Sequence, residues 1–506
     1  VTAFVRSNKG VTVTQEGEEL LSFARMLLEQ ADIMQEHFGV GKKRVPKFCV
    51  SCQHYSFAVN AFVEVVKEYD ADQYGFILRE TQTGEIIDDV ANGKSELGVI
   101  YLSEHNEEVL TKLIKKNFKT NDKSVRFHKD HENLLQMIYQ VISAYFQDDC
   151  ADELTLDPVF HAVLDKESLA SQPTLSRFFN RMDEDTLVQF DDIDKNLRDI
   201  IYSIKRPEHM LLDLDSTLFG TYGKQEGEGF NFNYQAHGYH PLLCCDGLTG
   251  DLLKAELRDG TLHCSNGADK FMESIFQEYL ERGIKAYLRG DSGFSSPKLY
   301  ETCESNGCSY AIRLKQNSAL IALASDKDED LYKATQNDQI SYAVTYGEFM
   351  YQAGSWNYPR RVVFKIEKPY GQLTHMYTFI VTNMDMEPYQ IIRFYCGRGK
   401  MENFIKEGKS GFDFAAVSSH SKVVNANRMR LHMLAYNLFN WFRRLVLPVN
   451  MRKQQVDTIR LKLIKIAARA IHSARAVTFK LCSSCPYKKE FYITLENIQQ
   501  LDVQLE

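Results

Sequence analysis

The stretch FYCGRGKMENFIKEGKSGF, residues 394–412, sets Tyr395, Arg398, Glu402 and Lys409 at offsets of 0, 3, 7 and 14. At about 100° per residue those offsets fall within roughly 60° of one another, so on an α-helix they form one stripe. Glycines at 397, 399 and 408 make such a helix imperfect. A carboxylate between an arginine fork and a lysine point charge suits the handling of phosphate esters. Arg398 and Glu402 alone are also an ordinary surface pair at i,i+4. That bland reading does not account for Tyr395 and Lys409 on the same face.

Two apolar segments offer further carboxylates. HMLLDLDSTLFG (209–220) reads as a strand in which Asp213 and Asp215 share one face, because side chains alternate along a strand. GIKAYLRGDSGF (283–294) reads as a second strand ending at Asp291 in a glycine-assisted turn. Strand ends are where open α/β sheets place their sites, although a lone aspartate there is more often a cap or turn residue. Two strand aspartates and a glutamate on a later helix make an all-oxygen site for two Mg²⁺ ions. Such ions activate a nucleophilic oxygen and stabilise the leaving oxygen in phosphodiester displacement.

The elements that must position these groups belong to a chain of 506 residues, 44% hydrophobic and 25% charged, long enough for roughly three domains. No apolar run approaches the roughly 18 residues of a membrane span, and VTAFVRSNKG at the start lacks a signal-peptide core. The expectation is a cytoplasmic protein with no membrane partner. Two CxxC pairs, Cys49/Cys52 and Cys482/Cys485, stand too far apart to pair and lack the second ligand pair of a zinc site, so they read as scattered thiols. Net charge is −8, yet residues 391–480 hold 18 Lys/Arg against 4 Asp/Glu, leaving −22 for the rest. The basic segment is expected to offer a phosphate-binding face.

Along the chain, residues 14–37 read as a capped amphipathic helix and GKKRVP (41–46) as a linker. Strand and helix patterns then alternate to about 103, as in βαβ units. Residues 130–200 are helical in pattern. Within them SLASQPTLSRFFNRM (168–182) has the form of a helix-turn-helix, in which Ser171, Gln172, Thr174, Ser176 and Arg177 could reach phosphates or base edges. An ordinary capped helix pair fits the same pattern. Three strand-like runs occupy about 339–384, carrying Trp356 as a candidate to stack on an extruded base and, more simply, as a core aromatic.

FVRSNKGVTVTQEGEELL resembles the wing and linker helix of LysR-type transcriptional regulators, and residues 46–103 resemble the start of their effector-binding domain. The resemblance begins after the place of a recognition helix and stops halfway through the effector domain, which implies exposed sheet edges and poor solubility. Over 126–445 the chain resembles the DDE transposases of bacterial insertion sequences. Y-x2-R-x3-E-x6-K is their YREK signature, and ASQPTLSRF, DLDST, GYHPLL, GDLLKAELRDG and LRGDSGF follow the blocks of the IS-thirteen-eighty-like group, related to the IS-four-like one, in order.

The resemblance implies an α/β fold with an RNase H-like catalytic core and a β-rich insertion. It implies Asp215, Asp291 and Glu402 as catalytic metal ligands, Asp213 being the alternative to Asp215. Tyr395, Arg398 and Lys409 are the implied DNA contacts. Mg²⁺, with Mn²⁺ as substitute, is the implied cofactor. Double-stranded DNA, as terminal inverted repeats and target, is the implied partner, bound by a homodimer. The reaction implied is cut-and-paste transposition.

The layout expected is 1–40 (wing and linker helix), 41–117 (partial effector domain) and 118–205 (helical DNA-binding region). Residues 206–445 form the core, with its insertion at about 320–390, and 446–506 a basic helical end. A silent fusion product that only binds DNA, a nuclease that does not rejoin ends, and a LysR-type regulator are the competing readings.

Overall fold

The computed structural model describes residues 4–7, 10–13, 47–52, 56–69, 74–81, 86, 89–90, 94–99, 104–336, 342–372, 374–473, 476–482 and 484–501. The chain forms two compact units, Val1–Tyr101 and Leu102–Glu506.

In the first unit, Phe4–Ser7 and Gly10–Val13 pair as an antiparallel hairpin. Lys47–Cys52 lies between Gly75–Glu80 and Leu97–Val99, parallel to both, with helix Ser56–Glu68 making the first crossover. The helix expected at 14–37 and the linker at 41–46 lie outside the described residues, as do parts of the alternating pattern expected to about 103. Cys49 and Cys52 are buried, the Cys49 thiol 3.2 Å from Ser95 Oγ.

The second unit starts earlier than the boundary drawn at 117. Helix α1 (Glu104–Asn117) packs on α2 (Asp130–Ile142) and α4 (Glu184–Ile204), and Ile114 is wholly buried among them. The expected helix-turn-helix is not formed within 168–182. One helix, α3 (Gln172–Phe179), is present, and Pro173 sits in its first turn, where a missing N–H costs nothing, rather than between two helices. The residues before it are held in non-helical form by Gln136, whose side-chain amide donates to and accepts from the Ala170 backbone at 2.8 and 2.9 Å.

The large sheet has eight strands. They are β1 (His209–Ser216), β2 (Leu242–Asp246), β3 (Leu252–Glu256), β4 (Lys285–Gly290), β5 (Ser309–Leu314), β6 (Ala343–Tyr351), β7 (Arg360–Lys368) and β8 (Met376–Thr382), in the order 3-2-1-4-5-8-7-6. β1, β4 and β5 are parallel; the other pairings are antiparallel. The strands expected as a β-rich insertion continue the central sheet, because β8 pairs directly with β5.

Alternation divides the side chains between two cores. Leu212, Leu214, Leu242 and Cys244 face α5 (Ala268–Glu281) and α6 (Pro297–Ser305). Leu243, Cys245, Leu252 and Ala255 face the long helix α9 (Lys422–Leu445), which is buried along most of its length. Trp356 is one of these core groups. It is 7% exposed and packs edge-on against Tyr300 and Tyr351, with Arg360 above it, so it has no free face for a base.

The basic segment is spent in part inside the molecule. Arg428, Arg430 and Arg444 pair with Asp148, Asp191 and Asp251 of the acidic remainder, and Arg443 and Arg460 with Glu407 and Asp457. Opposite charges from distant segments thus meet at helix packing surfaces, while Arg393, Lys400, Lys406, Arg452, Lys453, Lys465, Arg469 and Lys480 stay exposed. The end of the chain is not wholly helical either, since Ala468–Ser473 and Ala476–Leu481 form a hairpin before helix Lys488–Gln499.

Asp251 ties β3 to α9. Its carboxylate accepts from Asn440 Nδ2, Trp441 Nε1 and Arg444 Nη2 at 2.6, 3.0 and 2.5 Å. Asp251→Ala takes the shared acceptor from three donors, of which Asn440 Nδ2 keeps Thr249 O, and is expected to cost about 3 kcal/mol. The check is a lower urea midpoint.

Candidate active site

β1 and β4 run in parallel with Arg289 opposite Asp213 and Gly290 opposite Leu214. One step further along both strands brings Asp291 alongside Asp215. Asp291 leaves β4 as the cap of a short 3₁₀ turn, its Oδ1 accepting from Gly293 N at 2.9 Å, which fixes the carboxylate at the strand end. Helix α7 (Pro388–Cys396), a 3₁₀ turn at Gly397–Gly399 and helix α8 (Lys400–Phe412) then carry the third group over the same edge. Glu402 stands in the first turn of α8, where the helix dipole favours a carboxylate.

Asp215, Asp291 and Glu402 line one open cleft of about 610 Å³ together with Ser216, Thr217, Tyr234, Arg398, Lys406 and Lys409. The single helical stripe expected from 394–412 is broken at Gly397–Gly399. Arg398, Glu402 and Lys409 reach the cleft, while Tyr395 packs instead beside the small core of Ile391, Ile392 and Ile380. Ser171, Gln172, Thr174, Ser176 and Arg177 are not among the lining residues. Ser171 caps α3, and Arg177 is exposed.

Charge in the cleft is tightly organised. Asp215 Oδ2 is 2.9 Å from Arg398 Nη2, and its Oδ1 accepts from Ser216 N at 2.9 Å. Burial pushes the Asp215 carboxyl up to about 6; Arg398 opposes that shift, while the neighbouring charges of Asp291 and Glu402 add to it. The Nε of Arg398 is buried without a hydrogen-bond partner among the described residues. Lys409 is not a free cation. Its Nζ donates to Thr217 Oγ1 at 2.6 Å and Leu218 O at 2.9 Å, holding the turn that follows Asp215, and burial lowers its pKa. Tyr234 donates to Ser216 O at 3.2 Å, and its hydroxyl is pushed up to about 12, by burial first and then by Asp215. Among the described residues, no three His, Cys, Asp or Glu side chains stand at the spacing of one bound ion.

Asp213 takes a different part from Asp215. It is wholly buried, and Arg289 grips it with Nε at 2.6 Å and Nη2 at 2.7 Å. The third nitrogen, Nη1, donates to Phe394 O in the last turn of α7 at 2.7 Å. Gly397 makes room for this contact, since a Cβ there would lie 2.6 Å from Arg289 Nη1. Arg289 therefore joins both aspartate-bearing strands to the segment that carries Arg398 and Glu402. Sequence reasoning passed over it. The signal was present, because an arginine inside the apolar strand KAYLRG needs a buried carboxylate, and Asp213 was the unclaimed one.

No curated protein sequence matches the chain. Two solved structures are similar over long stretches. One is a piggyBac transposase in a synaptic complex with hairpin DNA (12% identity, 70% of this chain and 75% of that one, TM-score 0.36). The other is the Mos1 transposase paired-end complex with the left transposon end (11%, 51% and 84%, TM-score 0.15). No helix among the described residues is long and apolar enough to cross a membrane. The model of the family described as "Transposase DDE domain group 1" matches residues 91–503, more than four-fifths of the chain. The protein accordingly belongs to the group 1 family of DDE-domain transposases.

Proposed function

We propose that the protein is an enzyme that cuts the double-stranded ends of a bacterial insertion sequence and joins the freed 3′-hydroxyl to target DNA. The observation that carries this reading is the meeting of Asp215, Asp291 and Glu402, from three distant segments, in one cleft with Arg398 and Lys406. The order 3-2-1-4-5 of the first five strands supports an RNase H-like core, and the ordered sequence blocks support the IS-thirteen-eighty-like group. The parallel strands and hairpin of the first unit support a LysR-type fragment ahead of it. A homodimer acting on paired DNA ends in the cytoplasm completes the proposal.

The three carboxylates suit a hard, oxygen-seeking divalent cation. Burial lifts the Asp215 pKa, the charges of Asp291 and Glu402 add to it, and a cation would relieve that repulsion. Mg²⁺, or Mn²⁺ in its place, would be held by Asp215, Asp291 and Glu402 as a pair of ions, since the three do not stand at the spacing of one, and would supply Lewis-acid stabilisation of charge on the phosphate. Arg398 has an unused buried donor to turn toward a phosphate, and Lys406 adds a mobile positive charge at the rim. Lys409 orients the turn behind Asp215. Asp213 is proposed as a structural partner of Arg289 rather than a ligand.

The test is cleavage of a plasmid carrying the DNA that flanks the gene, with and without Mg²⁺. The full chain is expected to cut at the element ends only with metal. Asp291→Ala and Glu402→Ala should bind the same DNA and leave it intact, since each removes part of a charge stabilisation worth several kcal/mol. Binding without cutting by the parent chain would favour the silent DNA-binding product instead.

A further inference from the structure

Beside the cleft, strands 219–220, 229–231 and 236–239 form a small antiparallel sheet, and the rings of Phe230 on it and of Tyr222, Phe232 and Tyr234 in its connecting turns face water. Tyr222 is 96% exposed, Phe232 86%, Tyr234 44% and Phe230 37%. Four large aromatics within thirteen residues are costly to leave in solvent unless something covers them. They are not loosely held. Phe230 meets Phe232 edge-on at 5.2 Å and His237 at 5.4 Å.

The sheet beneath them is clamped from behind. Asn231 Nδ2 donates to Gly260 O at 2.9 Å, Tyr239 donates to Glu226 O at 2.8 Å, and Gln225 Nε2 donates to Val417 O at 2.8 Å. Gly260 lies so close that a Cβ on it would fall inside the Gly238 carbonyl. A rigid base with bare aromatic rings is a preorganised surface rather than a frayed loop.

The geometry points to a stacking platform, Phe230, Phe232 and Tyr234, for unpaired bases of the DNA held in the cleft. It rests on the DNA-processing reading above and extends it from the cleft, through Tyr234, to the adjoining outer surface. Tyr234 supplies the continuity, since it lines the cleft with Asp215 while Phe232 stands two residues away on the outer surface. The backbone of the same strand would be met by Lys406, which lines the cleft and is exposed. Aromatic faces take up bases whatever their identity, but only where those bases are unstacked, because in a duplex both faces are already covered. The occupant is therefore a splayed or single-stranded end rather than an intact duplex.

The experiment compares binding of the full chain, in the absence of divalent metal, to a blunt labelled duplex and to the same duplex with three unpaired nucleotides at one end. Expected is a preference for the splayed end of roughly ten-fold. Phe232→Ala should remove that preference and leave blunt-duplex affinity unchanged, whereas Phe232→Trp should retain it. The exposed position makes unfolding no explanation for the loss. Equal affinity of the parent chain for both DNAs, or a preference that survives Phe232→Ala, overturns the platform while leaving the transposase reading standing. If Phe232→Ala instead shifts the sedimentation of the DNA-free protein, the rings cover a second copy of the chain, and the platform is likewise overturned. Failure of the parent chain to bind either DNA sinks the DNA-processing reading first.

Discussion

Arg289→Met is expected to destabilise the second unit by about 3–5 kcal/mol and to abolish DNA cleavage. All three guanidinium nitrogens are in use, two on Asp213 and one on Phe394 O, and the charged group also lies over the Phe394 ring at 5.3 Å. Methionine fills much of the volume but leaves a carboxylate with no accessible surface and no directly bonded counter-charge, only the more distant Arg398 and Lys400. Burial already pushes the Asp213 carboxyl up against the pull of Arg289, so without the arginine it would take a proton or the strand would part. A domain is stable by only about 5–15 kcal/mol, which makes this loss a large share. The double variant Arg289→Met/Asp213→Asn separates two roles. Denaturant midpoints should recover most of the stability, because the isolated charge is gone. Cleavage should stay low, because α7 and Gly397 have lost their tether to β4 and Glu402 is no longer held over Asp291. Recovery of both would reduce Arg289 to a packing residue.

A second large effect is expected from pH. The Asp215 carboxyl titrates near 6 in the folded chain against an ordinary value of 3.8. Between about pH 4 and pH 6 the folded state keeps a proton that the unfolded chain has released. Stability from this group is therefore lost as pH rises through that window, by about 3 kcal/mol in all, and stays lost above it. Asp194, pushed up to about 6 by burial, contributes a slope of the same sign, so the parent chain alone does not isolate Asp215. The difference from Asp215→Asn does. The variant should be more stable than the parent at pH 7, and the two should converge near pH 4. Mg²⁺ added at pH 7 should raise the melting temperature of the parent and leave the variant unmoved. A flat difference curve would mean that Arg398 already neutralises Asp215 fully.

Much of the site was legible in the residues themselves. Strand alternation put Asp213 and Asp215 on one face, the glycine after Arg289 put Asp291 at a strand end, and the spacing in 394–412 put Arg398 near Glu402. These are local consequences of backbone geometry, and local geometry is written in neighbouring residues. The break at Gly397–Gly399 was half visible, since the glycines were in view but not the turn they make.

Other features had no local signal. Nothing near Asp213 and Asp215 says which one meets Arg289, because that choice depends on the register of β4 against β1, set by residues seventy positions away. The strands near 340–384 announced themselves, but only the pairing of β8 with β5 made them part of the central sheet. Composition gave 391–480 its positive charge, whereas the fold decided that Arg428, Arg430 and Arg444 would spend it on carboxylates from the other half of the chain. The sequence by itself determined which chemical groups were available and which short elements would carry them. Tertiary structure decided which groups face one another, because burial, ion pairing and exposure arise only when segments far apart in the chain are brought into contact.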